Sequence, residues 1–308
     1  MTRIFIDGAV GTTGLEIRER LAGRSEIDLI LLDEKARKNA KKRKEALNAA
    51  DIVVLCLPDD AAREAVEMIE NSTTRVIDAS TAHRVADGWT YGFPELEPGQ
   101  QAGIAEATRV SNPGCYPTGF LALVRPLIRA GLIPVDFPLS VSATSGYSGG
   151  GKSMIAEFED KAAPTGFRAY GMNLAHKHVP EMQKHARIVH PPIFQPAVAN
   201  VYRGMVVEVP LPLHAFTRRP SLEAIENALR EAYKDSSLVR VLDADATAVN
   251  IEEDANTDRL SLRVFGNAEA GQARLVATLD NLGKGAAGAA VQNLNIMAGF
   301  DPLAGLVV

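Results

Sequence analysis

The first third of the chain alternates short apolar runs with segments whose apolar residues recur at helical spacing. The apolar runs predict strands at 3–7, 28–32, 51–57, 75–78 and 108–110. Helical spacing predicts helices at 15–21 and 61–70. Strands that alternate with helices are typical of a parallel, doubly wound sheet. We therefore expect an α/β domain of the Rossmann type at the N-terminus.

After residue 115 the pattern changes. Helices are predicted at 118–130 and 221–233, and strands at 139–144, 196–203, 205–210 and 259–266. Residues 139–144 alternate between apolar and polar, as in a strand with one solvated face. Such strands indicate a mixed or antiparallel sheet covered on one side, and hence an α+β second domain. The tail at 280–294 is predicted to be helical and is rich in small residues, which allow another backbone or a ligand to approach closely.

Composition narrows the class of protein without choosing a function. A chain of 308 residues is long enough for two domains, and its net charge of -5 gives no reason to expect binding to nucleic acid or membranes. We expect no signal peptide, and the sequence has no apolar stretch of membrane-spanning length. Two cysteines make no disulfide framework, which favours a reducing compartment. We expect a cytoplasmic enzyme acting on a small molecule, with the basic run 35–44 on a solvated helix face.

Three glycines lie between the first strand and the first helix. Gly8, Gly11 and Gly14 follow the spacing G-x-x-G-x-x-G rather than the usual G-x-G-x-x-G. Glycines permit a tight strand-to-helix turn, and the helix N-terminus then presents its N–H groups to a pyrophosphate. The spacing alone is a weak signal, which its place between strand and helix strengthens. We predict that this turn, including Thr12 and Thr13, binds a dinucleotide.

Asp33 ends the second predicted strand. An acid at this place accepts the ribose 2′-hydroxyl of NAD and repels the 2′-phosphate of NADP, or it is a simple turn residue. Arg37 and Lys38 follow closely and favour the phosphate. The local sequence leaves the choice of cofactor open.

Cys115 follows the turn signal Pro113-Gly114 and precedes Pro117, which suits the first turn of a helix. A thiol at a helix N-terminus has a lowered pKa because the dipole stabilises the thiolate, the form that attacks carbonyls. The alternative is a buried structural thiol, which is our interpretation of Cys56 in the apolar run 52–57. The turn and the glycine loop favour a Cys115 nucleophile that works beside a dinucleotide through a thioester.

Two histidines, His176 and His178, precede Pro180-Glu181 and offer a proton partner for the thiol. If the segment is extended, both side chains lie on one face of a strand. No further cysteine or histidine cluster supplies the remaining ligands of a metal site, so we predict an acid/base role and no metal. Arg84 follows the strand at 75–78, where loops line the ligand crevice; it holds a phosphate or carboxylate, or is a surface arginine.

The chain resembles N-acetyl-γ-glutamyl-phosphate reductase of arginine biosynthesis, in its shorter form. The resemblance covers nearly the whole sequence and rests mainly on Ser111-Asn112-Pro113-Gly114-Cys115-Tyr116-Pro117-Thr118 and His176-Lys177-His178-Val179-Pro180-Glu181. Supporting segments are 8–14, 56–62, 78–84, 91–96 and 280–295. Aspartate-semialdehyde dehydrogenase is similar in architecture, and the histidine pair favours the arginine-pathway enzyme.

The resemblance implies a semialdehyde dehydrogenase-like fold, with a dinucleotide-binding domain at 1–114 plus 282–308 and a catalytic, oligomerising domain at 115–281. It implies NADP(H) as cofactor and a reversible reduction through a thioester on Cys115. One histidine moves the proton, and we favour His178 over His176. A homotetramer or homodimer is expected.

The resemblance also implies roles for several further positions. Arg84 and Asn112 help to seat the phosphate. The loop 145–151, beginning with Ser145 and Gly146, approaches the cofactor or the substrate. The tail helix near residue 283 folds back on the dinucleotide domain, with Asn281 as a cofactor contact.

Two rival functions remain at this point. One is aspartate-semialdehyde dehydrogenase, which shares the reaction type. The other is a nucleotide-sensing protein without catalysis, because a dinucleotide fold does not imply chemistry. A binding protein has no need of a low-pKa thiol beside a turn, so Cys115 discriminates between the two classes.

Overall fold

A computed structural model of the chain describes residues 1–160 and 163–308. The described strands are β1 (Thr2–Asp7), β2 (Ile27–Ile30), β3 (Ile52–Leu55), β4 (Arg75–Asp78), β5 (Thr90–Tyr91), β6 (Arg109–Ser111), β7 (Ser140–Gly146), β8 (Phe167–Ala169), β9 (Ile193–Ala199), β10 (Met205–Leu211), β11 (Val239–Val241), β12 (Leu260–Asn267) and β13 (Gln272–Leu279). The described α-helices are α1 (Thr12–Leu21), α2 (Ala40–Ala49), α3 (Asp59–Glu67), α4 (Gln100–Glu106), α5 (Cys115–Arg129), α6 (Gly151–Glu159), α7 (Val179–Ala186), α8 (Leu222–Tyr233) and α9 (Gly288–Ala298).

The chain divides into two compact units. Unit 1 consists of Met1–Pro94, Pro98–Gly114 and Ala286–Leu306. Unit 2 consists of Glu95–Glu97, Cys115–Gly285 and Val307–Val308. The chain therefore passes from unit 1 to unit 2 at the peptide bond between Gly114 and Cys115.

Unit 1 is a parallel sheet with helices on both faces. Its strands lie in the order β2-β1-β3-β4-β6-β5, and every neighbouring pair is parallel. Residues of β3 alternate between two cores: Val54 packs in a cluster with α1 and α9, and Val53 packs in a second cluster with α2 and α3. Strands buried on both faces read as continuous apolar runs. The predicted Rossmann-type domain is thereby confirmed.

The boundaries of the predicted elements shift by a few residues in unit 1. The basic run becomes a 3₁₀ turn at Ala36–Lys38 followed by α2, of which only Ala46 and Leu47 are buried, so the prediction of a solvated helix face is confirmed. Helix α2 was not predicted, because two adjacent buried residues do not produce the helical periodicity of apolar positions. Strand β5 was missed because two residues carry no periodic signal.

Unit 2 is built on a mixed sheet in the order β11-β12-β13-β10-β7-β9-β8. Strand β10 is antiparallel to β13 and β7, whereas β7 is parallel to β9. Helix α5 lies directly on this sheet, since a Cβ at Gly119 would come within 2.7 Å of a methyl of Val207 in β10. Along β7 the burial alternates, as the sequence predicted for a strand with one solvated face. The mixed α+β architecture is confirmed.

Two strands of unit 2 differ from the sequence-based expectation. Strand β9 begins at Ile193 and ends at Ala199, and the chain then turns so that Gly204, at φ 110°, accepts a hydrogen bond from the Gly146 N–H. Strand β13 was missed because its strand pattern is weak. Ala273 and Ala277 have low strand propensity, and the charged Arg274 stands next to the apolar Leu275 between them. The tail forms a π-helical turn at Gly283–Ala287 before α9 begins. No helix in the described ranges has the length and apolar character to cross a membrane.

Candidate active site

The glycine turn of unit 1 is as tight as its spacing predicted. Gly8 has a φ of 93°, and a Cβ there would overlap the carbonyl oxygen of Cys56. A Cβ at Gly14 would overlap the carbonyl oxygen of Gly8. Gly11 differs, because the nearest atom to its Cβ position is 3.4 Å away. Gly8 and Gly14 are thus required by the fold, whereas Gly11 leaves open space at the N-terminus of α1.

The start of α1 also carries a polar atom that suits a ligand. The hydroxyl of Thr12 is buried and has no hydrogen-bond partner among the described residues. Gly11 is the N-cap and supplies no side-chain cap, so the N–H groups of the first turn remain available. The residues present therefore fit the pyrophosphate of a dinucleotide. Thr13, also predicted to bind, occupies the second position of the same helix.

A cleft of about 730 Å³ adjoins this turn within unit 1. Its basic lining residues are Arg18, Arg37, Lys38 and Arg43. Asp33 lies in the lining too, but its Oδ1 accepts hydrogen bonds from the backbone N–H groups of Lys35 and Ala36 at 2.9 and 2.7 Å. The carboxylate therefore caps a turn, which is the alternative that the sequence had left open. Within this lining Arg43 forms an ion pair with Asp7, and Arg37 and Lys38 form ion pairs with Glu34. Basic groups at this place suit an additional phosphate, which would compete with these carboxylates.

Arg84 and Asn112 lie in one buried hydrogen-bond network of unit 1. Arg84 donates from Nε to the carbonyl of Asn112 at 2.9 Å and from Nη2 to the carbonyl of Ala79 at 3.0 Å. The Asn112 amide donates to the carbonyl of Ala286 at 3.0 Å and accepts from Asn293 Nδ2 at 3.0 Å. These bonds fix the turn that leads to Cys115. The side chain of Asn112 is almost fully buried, which makes it a support for that turn.

Cys115 is the first residue of α5. Its position confirms the predicted helix start, and the helix dipole favours the thiolate there. The backbone of Gly285 packs against it, since a Cβ at Gly285 would be 2.9 Å from the Cβ of Cys115. Cys56 follows β3 in unit 1, and burial raises the pKa of its thiol to about 12, with Asp78 and Asp7 contributing. The two cysteines therefore occupy different environments, as the sequence predicted.

An aromatic cluster surrounds Tyr116, the residue after Cys115. Tyr116 donates its hydroxyl proton to the carbonyl of Ala197 at 2.9 Å, and Tyr170 donates to the Tyr116 hydroxyl at 3.2 Å. Burial, then Tyr170 and Cys115, raises the pKa of Tyr116 well above its usual value. The rings of His176 and His178 lie 6.1 and 5.9 Å from the Tyr116 ring. The structure thus brings both predicted histidines to helix α5, which begins at Cys115.

The two histidines are distinguished by their hydrogen bonds. His176 Nδ1 accepts the backbone N–H of His178 at 3.1 Å, so the proton of its neutral ring is on Nε2. Burial, with a smaller effect of Lys177, lowers the pKa of His176 to about 4. His176 is therefore neutral near pH 7 and serves as part of a turn. His178 is the N-cap residue of α7, with its ring 4.8 Å from that of His176.

Residues 176–178 are not extended, so the condition under which both histidine side chains would share one face of a strand is not met. The carbonyl of His176 accepts from Val179, and that of His178 accepts from Met182, so the segment is a turn that opens α7. Pro180 at the start of this helix requires no N–H partner, which is why the sequence turns here instead of continuing as a strand. The rings meet through the turn rather than through strand alternation.

The loop after β7 and the residue Asn281 meet within unit 2. Ser145 is buried and donates to the carbonyl of Gly146 at 2.9 Å. The Asn281 side chain accepts the Gly204 N–H at 2.9 Å and donates to the Ser148 hydroxyl at 2.8 Å. Both ends of the Asn281 amide are thus used inside unit 2. Through these bonds Asn281 supports the glycine-rich loop, and its role as a cofactor contact stays a prediction.

The sequence did not indicate two other features of this region. Tyr170 was overlooked because no pattern marks the residues between α6 and α7. Lys284 forms a buried ion pair with Glu95, with its Nζ at 2.9 and 2.8 Å from the two carboxylate oxygens. Glu95 and Lys284 are far apart in sequence, so only the fold could pair them.

Comparison with known proteins agrees with this geometry. The semialdehyde dehydrogenase NAD binding domain family matches residues 3–104, and the semialdehyde dehydrogenase dimerisation domain family matches residues 115–281. An N-acetyl-gamma-glutamyl-phosphate reductase of Brucella ovis is 52% identical over 306 residues, which cover 96% of this chain and 99% of the relative. A Brucella anthropi protein of the same name is also 52% identical, with coverage of 96% and 98%.

The similar solved structures are more distant in sequence. An aspartate semialdehyde dehydrogenase II of Vibrio cholerae, complexed with ASA, has a TM-score of 0.74 at 17% identity, covering 97% of this chain and 98% of that one. The Candida albicans aspartate semialdehyde dehydrogenase solved with NADP has a TM-score of 0.68 at 15% identity, with coverage of 97% and 99%. At this identity the likeness concerns the fold alone.

Proposed function

Because the chain belongs to the N-acetyl-γ-glutamyl-phosphate reductase family, we propose that it reduces N-acetyl-γ-glutamyl phosphate to N-acetylglutamate 5-semialdehyde and phosphate, reversibly, in arginine biosynthesis. The observation that carries the proposal is Cys115 at the N-terminus of α5, with the His176–His178 turn beside Tyr116. In this proposal unit 1 is the dinucleotide-binding domain, predicted as 1–114 plus 282–308. Unit 2 is the catalytic domain, predicted as 115–281.

The first half of the reaction forms a thioester. The Cys115 thiolate attacks the acyl carbon, the S–C bond forms, and the bond from that carbon to the phosphate oxygen breaks. His178 takes the thiol proton and passes it to the departing phosphate. The helix dipole at α5 favours the attacking thiolate. His176 is less suited to this proton transfer, because it is neutral and its Nδ1 already accepts a hydrogen bond from the backbone N–H of His178.

The second half releases the aldehyde. When bound, NADPH supplies the hydride that converts the thioester carbonyl to a tetrahedral alkoxide on Cys115. The alkoxide collapses, the C–S bond breaks, and Cys115 leaves as a thiolate. His178, reprotonated from solvent, returns a proton to the sulfur, so one proton is consumed per turnover.

We propose NADP(H) as the physiological cofactor. The turn Gly8–Gly14 with Thr12 would hold the pyrophosphate. Arg37 and Lys38 in the adjoining cleft suit the 2′-phosphate, and Asp33 is engaged in capping a turn. A bidentate or multiple charge contact to phosphate typically outweighs one ribose hydrogen bond.

The phosphate of the substrate needs cationic or amide donors. Arg84 is the candidate from the sequence, and its Nε and Nη2 donate to two backbone carbonyls, which hold the guanidinium group in place. Asn112 acts with it by fixing the turn before Cys115. The loop beginning with Ser145 and Gly146 would line the substrate or cofactor side of the site.

We propose a homodimer or homotetramer that forms through the solvated face of the unit 2 sheet. This face has an open groove of about 890 Å³ with Phe137, Phe265, Pro210 and Arg274 in its lining. The match of residues 115–281 to a dimerisation domain supports a second copy as the occupant. Light scattering should give a mass that is two or four times 33.0 kDa, and a monomer at micromolar concentration would contradict this.

Aspartate-semialdehyde dehydrogenase is the second candidate, because the similar solved structures carry that name. The test is the phosphate-dependent oxidation of the two semialdehydes with NADP, and with NAD as a comparison. We expect kcat/KM to favour N-acetylglutamate semialdehyde and NADP. Faster turnover of aspartate semialdehyde would overturn the assignment, and the absence of turnover with either would favour a nucleotide-sensing protein.

A further inference from the structure

The buried ion pair between Lys284 and Glu95 plays no part in the chemistry described above. Lys284 is 1% exposed, and its ammonium donates to both carboxylate oxygens of Glu95. An unpaired charge at such a place is strongly unfavourable, so each side chain fixes the other. A buried ion pair adds little net stability compared with apolar side chains of similar size. We therefore infer that this pair holds the surrounding backbone in place.

Lys284 lies directly before the residue that touches the nucleophile. The π-helical turn at Gly283–Ala287 places Gly285 against Cys115, with 2.9 Å between the two Cβ positions if Gly285 had a side chain. Gly285 also donates its N–H to the carbonyl of Asp280 at 2.9 Å. Any displacement of the Lys284 side chain would move the backbone that bounds the thiol on this side. π-Helical turns occur frequently at functional sites.

Glu95 in turn is attached to the helix of the nucleophile. It belongs to the segment Glu95–Glu97 of unit 2, whose Glu97 carboxylate forms ion pairs with Arg125 and Arg129 of α5. A path of contacts therefore starts on α5, runs through Glu97 and Glu95 to Lys284, and returns through Gly285 to Cys115 at the start of α5. The path closes on itself, which fixes the turn relative to the thiol.

We propose that Glu95 and Lys284 are positioning residues that hold Gly285 against Cys115 and thereby keep the thiol at the N-terminus of α5. The inference rests on the proposed function, since it takes Cys115 as the nucleophile. With the pair removed, the thiol leaves the position where the helix dipole favours its ionisation. The thiolate fraction at neutral pH then falls, and acylation slows.

The test compares Lys284→Met, Glu95→Gln and the double variant Glu95→Leu/Lys284→Met with the unaltered enzyme. Alkylation of Cys115 by iodoacetamide, followed by peptide mass spectrometry, needs neither substrate nor cofactor. We expect its rate at pH 7 to fall about tenfold in all three and to recover when the pH is raised by about one unit, as a tenfold lower thiolate fraction requires. The kcat should fall at least as much, with KM changed less than about threefold.

Two further variants distinguish an effect on the position of Cys115 from an effect on the stability of the fold. Arg263→Met removes the ion pair of Arg263 with Glu253, whose side chains are 11% and 26% exposed in the same unit, and should lower the melting temperature without altering alkylation. Gly285→Ala should slow alkylation by itself, because its methyl meets Cys115. Combined with Lys284→Met, it should cost less than the product of the two single effects, since the turn is already released.

The outcomes decide the proposal independently of the overall reaction. If the double variant folds and Cys115 is alkylated at the unaltered rate and with the unaltered pH profile, the positioning role is wrong. The positioning role is also wrong if the alkylation rate falls only in proportion to the unfolded fraction, as measured by circular dichroism. Failure of the unaltered enzyme to reduce the acyl phosphate would count against the proposed function. The positioning role would still be tested by the alkylation rates, which need no substrate.

Discussion

Two cysteines with contrasting surroundings define the chemistry at the scale of the residue. Cys115 begins a helix, whereas burial raises the pKa of the Cys56 thiol to about 12. The thiolate is the reactive form, so reactivity should differ strongly between them.

Alkylation near neutral pH measures this difference directly. We expect iodoacetamide to modify Cys115 at least about a hundredfold faster than Cys56, and NADP or substrate to protect Cys115. The matched control is Cys56→Ala, which should leave the rate at Cys115 unchanged. Equal rates at the two thiols would remove the basis of the nucleophile role.

The histidine pair permits a similar distinction. His178→Gln should lower kcat by about 10²- to 10⁴-fold if it moves the proton. His176→Gln keeps a polar side chain near the His178 N–H and should lower kcat by less than about tenfold. Steady-state kinetics on both variants checks this; a larger loss in His176→Gln than in His178→Gln would reverse the assignment.

Sequence patterns identified the reactive side chains better than their supports. Cys115 and the histidine pair stand in local motifs, so their chemistry can be inferred from neighbours in the chain. Lys284 and Glu95 have no such signal, because their pairing depends on the path of the whole chain. The resemblance predicts Asn281 as a cofactor contact, whereas its hydrogen bonds to Gly204 and Ser148 have no signal in the sequence.

At the scale of the element, the glycine turn separates folding from binding. Gly8 and Gly14 have no room for a methyl group, whereas Gly11 has its nearest neighbour at 3.4 Å. We therefore expect Gly8 and Gly14 to serve the fold and Gly11 to serve dinucleotide binding.

Alanine substitution at the second and third glycines tests this separation. Gly14→Ala should destabilise the fold by about 1–3 kcal/mol, because the added methyl meets backbone atoms of Gly8 and Ala9. Gly11→Ala should unfold at nearly the unaltered temperature yet bind NADP about tenfold more weakly, because the methyl faces the pyrophosphate. Thermal unfolding and a binding titration measure the two effects, and unaltered NADP affinity in Gly11→Ala would contradict the proposed role.

Element boundaries show where periodicity is informative. Strands β1, β3 and β4 are buried on both faces and were predicted from their apolar runs. The conformation of residues 176–178 could not be predicted, because two histidines at a spacing of two fit a strand as well as a turn. The hydrogen bond from the His178 N–H to His176 Nδ1 and the proline in the first turn of α7 favour the turn.

At the scale of the whole molecule, the partly buried His176 makes stability depend on pH. Burial lowers the pKa of His176 from 6.5 to about 4. Between these values the unfolded chain binds a proton that the folded chain does not, so the free energy of unfolding falls as the pH drops through this range.

Urea unfolding at several pH values tests the contribution. His176→Phe removes the titrating group and should flatten the decline in stability between pH 6.5 and pH 4. Above pH 6.5 the contribution of His176 is constant, so the two curves should run parallel there. If the free energy of unfolding falls equally steeply with pH in both proteins in the acidic range, His176 would have the same pKa in the folded and the unfolded state.

The central claim is that Cys115 carries the acyl group, and one measurement addresses it most directly. The enzyme is mixed with N-acetylglutamate semialdehyde and NADP without phosphate, and NADPH is followed by absorbance while the protein is sampled for mass spectrometry. We predict a burst of about one NADPH per active site and an N-acetylglutamyl adduct on Cys115 that phosphate or hydroxylamine removes. Cys115→Ser should bind NADP but give no burst. An adduct on another residue, or a burst retained in Cys115→Ser, would contradict the account.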